Sequence, residues 1–489
     1  MELPDVGRLQ SIPGERLPEL AQRLRAAGLA APFLARLARV GERLDDALRA
    51  PMRLWNARRM REPAAAAARL FILHDAVRRD EAEAALGALA PLVDGGLLEE
   101  AQGGLVSRFH LALAGDLFCF GDRVGLGGDA VMPLCGATLE LVRAAMPERP
   151  VERALDLGCG AGAVGMLLAR AAGTVVATDV NPRALAFTRL NLALNGVPGV
   201  EVRQGDLYES VRGERFDRIA SHPPFLARRA GEPGSTFTHG GTRGDELTLR
   251  MLAGAAGHLA PGGRAVMVGD WPVVDGDPLD ARVRAALGGS EGEGQGADVL
   301  VLQSPSKNLD EYCTMHAAVE HRELGEAFAQ AALAHREHLE ALGLRGIALA
   351  CVMVRRPRGE GRRGWTSLVP VRHVHDAPIT GETIDRLLAA RALAGAGPEA
   401  VATTRLRVPP GARLVEQPMP DGAPPATVLH LPAGRPEWPI VLEAPLAAWV
   451  AIIGRSPTVR EAARSGGGDE AQAVDAAREA LTRGALEPA

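Results

Sequence analysis

The chain has 489 residues, 47% of them hydrophobic and only 3% aromatic, with a net charge of −5. That length exceeds one compact domain, so two or three are expected, with cores built from Leu, Ala and Val. The charge removes any bulk electrostatic case for nucleic acid, and no run of about 18 apolar residues offers a membrane span.

Almost all the positive charge is Arg; Lys307 is the only lysine. Five cysteines (Cys119, Cys135, Cys159, Cys313 and Cys351) are widely spaced, odd in number and form no CxxC pair. They support neither a disulfide framework nor a zinc knuckle. The start, MELPDVGRLQ, lacks a basic segment followed by an apolar core. It is not read as a signal peptide, and a cytoplasmic protein is expected.

Residues 1–130 read mostly as helices. LPELAQRLRAAGLAAPFLARL and AAAAARLFILHDAV carry apolar residues at helical spacing. From residue 78 the pattern runs helix, turn, helix and then short strand-like pieces, which suggests a winged-helix-like module. Its Asp/Glu density favours protein contact over DNA binding. From about 150, short β-rich runs alternate with helical ones, which implies a parallel sheet covered on both faces. GIALACVMVRR and WTSLVPVRHVHD, joined by PRGEGRRG, read as an antiparallel hairpin ending that sheet. After about 395 the chain is first Pro-rich and then helical, a small C-terminal module of unknown role. The expected domains are therefore 1–130, 131–395 and 396–489.

The strongest local signal is ALDLGCGAGAVGMLLAR, residues 154–170. A strand enters Gly158, Gly160 and Gly162 and a helix follows, so backbone can approach a ligand and free N–H groups await it. Ala163 also satisfies a loose dinucleotide-binding pattern, but Asp156 would repel a pyrophosphate and attract a cation. Asp179 ends the next strand, nineteen residues past Gly160, where a carboxylate can bind both hydroxyls of a ribose. Asn181 and Pro182 read as the N-cap and first residue of a helix that Asn195-Gly196 closes. Asp206 ends the third strand, placed to accept from an adenine amino group, with Leu207 beside it to pack on the ring.

LDLGCGAG, ATDVNP, GDL and HPPF, in this order, resemble the class I S-adenosylmethionine-dependent methyltransferases over roughly 130–380. More narrowly the chain is similar to the small-domain branch, which includes HemK/PrmC-like protein glutamine methyltransferases and ribosomal RNA guanine-N2 methyltransferases. The resemblance implies a Rossmann-like α/β sheet, mostly parallel, and S-adenosyl-L-methionine as cofactor. It also implies a methyl acceptor (protein, RNA or small molecule) held at His222, Pro223, Pro224 and Phe225, with His222 close to the cofactor as well. The branch carries Asn where this chain has His222. In the branch, the Asn oxygen and a backbone carbonyl hold an amino group so that its lone pair faces the methyl carbon. His222 can replace that oxygen with one acceptor nitrogen, it can take a proton, or it can be a neutral variant packed beside the site; these readings stay open.

Other features are weaker. THGGTRGDE (238–246) is read either as a loop folding over the substrate or as a surface connection. Asp270 and Trp271 end the fifth strand at the rim of the cleft, where Trp271 is read either as lining the acceptor pocket or as packing. His316, His321, His335 and His338 read as polar helix positions. His373, His375 and Asp376 have a metal-compatible spacing without a third histidine, and no metal is expected. Two other readings remain: a non-catalytic binding or regulatory protein on a methyltransferase scaffold, and an NAD-dependent enzyme, which Asp156 disfavours.

Overall fold

The computed structural model describes residues 3–489 except 38–45, 124, 230, 233, 289–295, 322, 360–363, 373–376, 419–424 and 433–434. Its contacts divide the chain into two compact units. The first is Met1–Val299 with Ser306–Thr366, and the second is Leu300–Pro305 with Ser367–Ala489. This division does not coincide with the expected boundaries at 130/131 and 395/396. His373, His375 and Asp376 lie outside the described residues.

Among the described residues the first unit opens with a 3-10 turn (Gly7–Ser11) and the helices α1 (Arg16–Ala26), α2 (Ala31–Leu37), α3 (Asp46–Ala57), α4 (Pro63–Phe71), α5 (Arg79–Leu86) and α6 (Ala90–Asp94). Two antiparallel hairpins follow, β1 (Glu99–Ala101) with β2 (Gly104–Val106), and β3 (Phe109–Ala114) with β4 (Leu117–Asp122). Then come α7 (Gly136–Ala145), β5 (Val151–Leu157), α8 (Ala163–Leu168), β6 (Ala172–Asp179), α9 (Pro182–Asn195), β7 (Val200–Gln204) and β8 (Phe216–Ser221). The unit continues with β9 (Leu226–Ala227), β10 (His239–Gly241), α10 (Glu246–His258), β11 (Leu259–Val273), α11 (Leu279–Gly288), β12 (Asp298–Lys307), α12 (Leu309–Glu320), α13 (Glu326–Ala341) and β13 (Gly346–Arg355). Residues 300–305 of β12 group with the second unit.

In the first unit the strands run β7–β6–β5–β8–β11 in parallel, and β13 lies antiparallel on β11. The expected hairpin between β13 and the strand after it, β14 (Thr366–Pro370), is corrected here. β13 pairs with β11 from Arg264↔Arg355 to Val273↔Gly346, and β14 is not its neighbour in the sheet. The reason is burial: eight of the ten β13 residues are buried, from Gly346 to Val354 except Leu349, as an interior strand requires.

The N-terminal segment joins this sheet's layer of helices, which accounts for the missing boundary near 130. Asn191 of α9 accepts the Phe120 amide and donates to the Phe120 and Ala161 carbonyls, at 2.8 Å each. Asn195, one turn on, treats Phe118 the same way, at 2.9 and 2.7 Å. Arg183 grips Asp122 through two bonds of 2.5 and 2.7 Å and donates to the Pro4 carbonyl. Side-chain amides on one face of α9 thus act as backbone partners for β4.

The second unit contains α14 (Gly381–Ala394), α15 (Pro398–Thr403), β15 (Leu406–Arg407) and an antiparallel sheet of β16 (Arg413–Gln417), β17 (Ala426–His430) and β18 (Ile440–Leu442). It closes with α16 (Ala444–Ile453), α17 (Val459–Gly466), α18 (Glu470–Arg483) and β19 (Glu487–Pro488), which pairs with β15. Val401, Leu429, Val450, Ala477 and Leu481 are among its core residues. Helix α14, expected to end the middle domain, packs here against α18. Among the described residues no helix is long and apolar enough to cross a membrane.

Candidate functional site

The carboxyl ends of the parallel strands converge on the glycine turn, the edge where open α/β sheets hold ligands. Gly158, Gly160 and Gly162 have φ of 74°, 52° and 82°, values that favour glycine. A Cβ on Gly162 would meet Thr188 of α9 at 2.8 Å, so the third glycine also permits close helix packing. The Gly158 and Cys159 amides both donate to the Thr178 carbonyl, and Thr188 donates to the Gly160 carbonyl.

Asp179 binds this turn to β6. Its Oδ2 accepts the Gly160 amide and its Oδ1 the Asn181 amide, each at 2.9 Å. Burial raises its pKa, and these backbone bonds oppose the rise. Asn181 caps α9 by accepting the Arg183 amide and donates to the Asp129 carbonyl.

Asp156 is 1% exposed, and its Oδ2 accepts the Gly165 amide of α8 at 2.7 Å. The carboxylate read from sequence as facing a cation is thus tied to the start of a helix. Burial, helped by the Asp179 charge and opposed by the Gly165 amide, pushes its pKa up to about 7.

Asp206 is exposed, and its side chain makes no hydrogen bond to the described residues. Leu207 next to it has φ 47°, a left-handed conformation that costs a non-glycine residue on the order of 1–3 kcal/mol. A Cβ on Gly205 would meet Ser210 at 2.7 Å. The Gly-Asp-Leu turn therefore holds Asp206 outward in a strained bend, which spacing could not reveal.

The Pro-Pro corner follows β8. Ser221 donates to the Leu157 carbonyl at 2.7 Å, locking the corner beside the glycine turn. Pro223 is buried and Pro224 and Phe225 are half-buried. The 238–246 segment braces the corner rather than standing free of it. A Cβ on Gly240 would meet Phe225 Cα at 2.7 Å and the Pro224 carbonyl at 2.8 Å, so only glycine allows the approach. Asp245 anchors the segment through Arg282 at 2.8 Å and Arg243 at 2.9 Å. Trp271, read as either lining the acceptor pocket or packing, is 2% exposed.

Two contributors escaped the sequence reading. Cys135 stands at the N-cap position of α7 without a side-chain cap, and its Sγ lies 3.4 Å from Thr138 Oγ1. Burial opposes its ionisation, but the adjacent His222 ring and Thr138 outweigh it and bring the thiol to about 6. His222 Nε2 itself is buried and has no hydrogen-bond partner among the described residues. His316 of α12 is the second, edge-on to Phe225 with ring centres 6.0 Å apart. Neither carries a local motif; only the fold assembles them. A concavity of about 560 Å³ lies elsewhere, lined by Asp275, Arg336 and Arg345, whose charges pair within it or at its edge.

Residues 137–274 match the family described as the methyltransferase small domain. The chain is 38% identical over 130 residues to a release factor glutamine methyltransferase of Xylella fastidiosa, covering 24% of this chain and 47% of that protein. It is 35% identical over 130 residues to a ribosomal RNA small subunit methyltransferase C of Chromohalobacter salexigens, covering 27% and 35%. The chain thus spans less than half the length of these curated relatives. Among solved structures it is similar to the Thermus thermophilus 16S rRNA N2 G1207 methyltransferase in complex with AdoMet and guanosine. That match has 22% identity and a TM-score of 0.26, and covers 33% of this chain and 42% of that one. The resemblance read from the motifs is borne out for the segment that carries them.

Proposed function

We propose that this chain, whose residues 137–274 match the methyltransferase small domain, transfers a methyl group from S-adenosylmethionine to a nitrogen or other heteroatom of an acceptor held at the HPPF corner. The observation that carries this reading is the placement of three acids. Asp156, Asp179 and Asp206 lie at the carboxyl ends of three adjacent parallel strands around one glycine turn.

These residues fit the cofactor, which would supply a methyl group on a positively charged sulfur. Both Asp179 oxygens are fixed by backbone amides and keep lone pairs for two ribose hydroxyls. Exposed Asp206 could accept from an adenine amino group, and Leu207 beside it would pack on the ring. The Gly158–Gly162 turn admits the amino-acid portion, and buried Asp156 secures the turn through Gly165. Relatives named for glutamine in a release factor and for ribosomal RNA support a nitrogen acceptor of protein or RNA. Residues outside 137–274 are the candidates for selecting it.

Calorimetry with S-adenosylmethionine and S-adenosylhomocysteine tests the cofactor. Tritiated S-adenosylmethionine incubated with protein and RNA from cells lacking the gene tests transfer. Binding of both compounds with label in one fraction supports the reading. Binding without transfer favours a non-catalytic scaffold, and NADH binding in their place favours a dehydrogenase.

A further inference from the structure

Two histidines flank Phe225. The His222 ring centre is 5.7 Å from that of Phe225 on one side, and His316 meets Phe225 at 78° and 6.0 Å. His316 Nε2 in turn lies 3.7 Å from Asp270 Oδ2 of β11. In the β8–β11 ladder Ser221 is level with Met267. Asp270 therefore stands three residues farther along, about 10 Å, on the edge where β8 has already ended. At 3.7 Å the carboxylate is an ion-pair neighbour of the imidazole and not a hydrogen-bond partner in this structure; a nearly buried carboxylate there can balance a charge on the ring next to the acceptor corner.

The two histidines differ in what they can do with a proton. His222 Nε2 is buried and has no hydrogen-bond partner among the described residues, though the residue as a whole is half-buried. The His316 side chain keeps 17% of its surface exposed beside Asp270 at 9%. It can accept a proton while the carboxylate balances the new charge, and then release it to solvent.

The other groups facing His316 do not compete for that role. Tyr312, one turn earlier on α12, has its ring centre 4.2 Å away. Burial, and then the Asp270 charge, holds its phenol well above the usual range. His335 of α13 is pushed down to about 4 by burial and then by the charges of His316 and Arg228, so it is neutral at neutral pH. Arg228 is engaged by Glu320 and by Thr238.

We infer that His316, with Asp270 beside it, is the general base of methyl transfer, and that His222 shapes the corner without taking the proton. This rests on the methyltransferase reading above. In the step, a lone pair on the acceptor nitrogen or oxygen forms the new bond to the methyl carbon as the carbon–sulfur bond breaks. The sulfonium leaves as a neutral thioether. The proton lost by the acceptor passes to His316 and then to water.

The test uses the full chain, tritiated S-adenosylmethionine and the protein and RNA of cells lacking the gene. His316→Gln should slow turnover by about 10²–10⁴-fold with cofactor affinity unchanged by calorimetry. Asp270→Asn should slow it less and displace the pH–rate limb. Added imidazole should restore part of the turnover of His316→Ala, which a packing role would not allow. Parent-like rates and pH profile in His316→Gln, or a slowed His316→Ala that imidazole does not rescue, would overturn the assignment alone. Absence of label transfer by the unsubstituted protein would instead remove the methyltransferase reading, and this inference with it.

Discussion

The Gly160 amide donates to Asp179 Oδ2 at 2.9 Å, which fixes the glycine turn against the end of β6. One carboxylate thus both builds the loop and faces the place proposed for the ribose. Asp179→Ala should weaken S-adenosylmethionine by about 1–3 kcal/mol, because two hydroxyls lose a charged acceptor. Calorimetry measures this, with a thermal melt to establish that the variant is folded. Unchanged affinity in a folded variant would remove the cofactor assignment.

His222→Asn separates positioning from proton transfer at the corner. An Asn oxygen accepts a hydrogen bond as an imidazole nitrogen does. With His316 as base, the variant should retain turnover near the parent level and an unchanged pH–rate profile. A loss of about 10²–10⁴-fold together with the pH limb would return the base role to His222.

Cys135 reports on the same ring without any acceptor. The thiolate is the reactive form, so alkylation of Cys135 should rise with pH through about 6, well below an ordinary thiol. His222→Asn removes the group that offsets burial, and the midpoint should move upward. Peptide mass spectrometry after timed iodoacetamide exposure gives both curves. Coincident curves would show that the ring does not influence the thiol.

Asp156 should leave a mark on stability. Its folded pKa of about 7 exceeds the ordinary carboxylate value because of burial. Between about pH 4 and about pH 7 the folded state therefore holds a proton that the unfolded chain has released. Stability gained at low pH is lost as pH rises through that window, by on the order of a few kcal/mol. Asp156→Asn keeps an oxygen for the Gly165 amide and does not titrate. Its melting temperature should vary less than the parent's between about pH 5 and about pH 8. Equal pH slopes would place the effect on other groups.

What could be read from the sequence was local. The glycine turn, the Asn181 cap, Pro182 and the Gly196 stop each follow from neighbouring residues, and the structure has them in those roles. What could not be read depended on distant partners. In sequence Asn195 reads only as part of the helix stop and Asn191 is not singled out, yet they pair with the backbone of Phe118 and Phe120 more than 70 positions earlier. The strand beside β13 was misplaced because adjacency in sequence suggested a hairpin, while burial on both faces required β11. Asp270 was placed at the cleft from its strand end, but His316 lies on a helix 46 residues later and meets it only through the fold.

The route of the chain between its two compact units has a consequence for heredity. The backbone passes from one unit to the other at 299/300, returns at 305/306 and leaves again at 366/367. A stop codon placed after 366 would not deliver the first unit alone. It would leave residues 300–305 behind, with Gln303 deprived of the Val371 amide that its carbonyl accepts at 2.9 Å. A strand stripped of its partner is a template for association with other chains. One breakpoint in the gene therefore cannot separate the two units without dividing one of them.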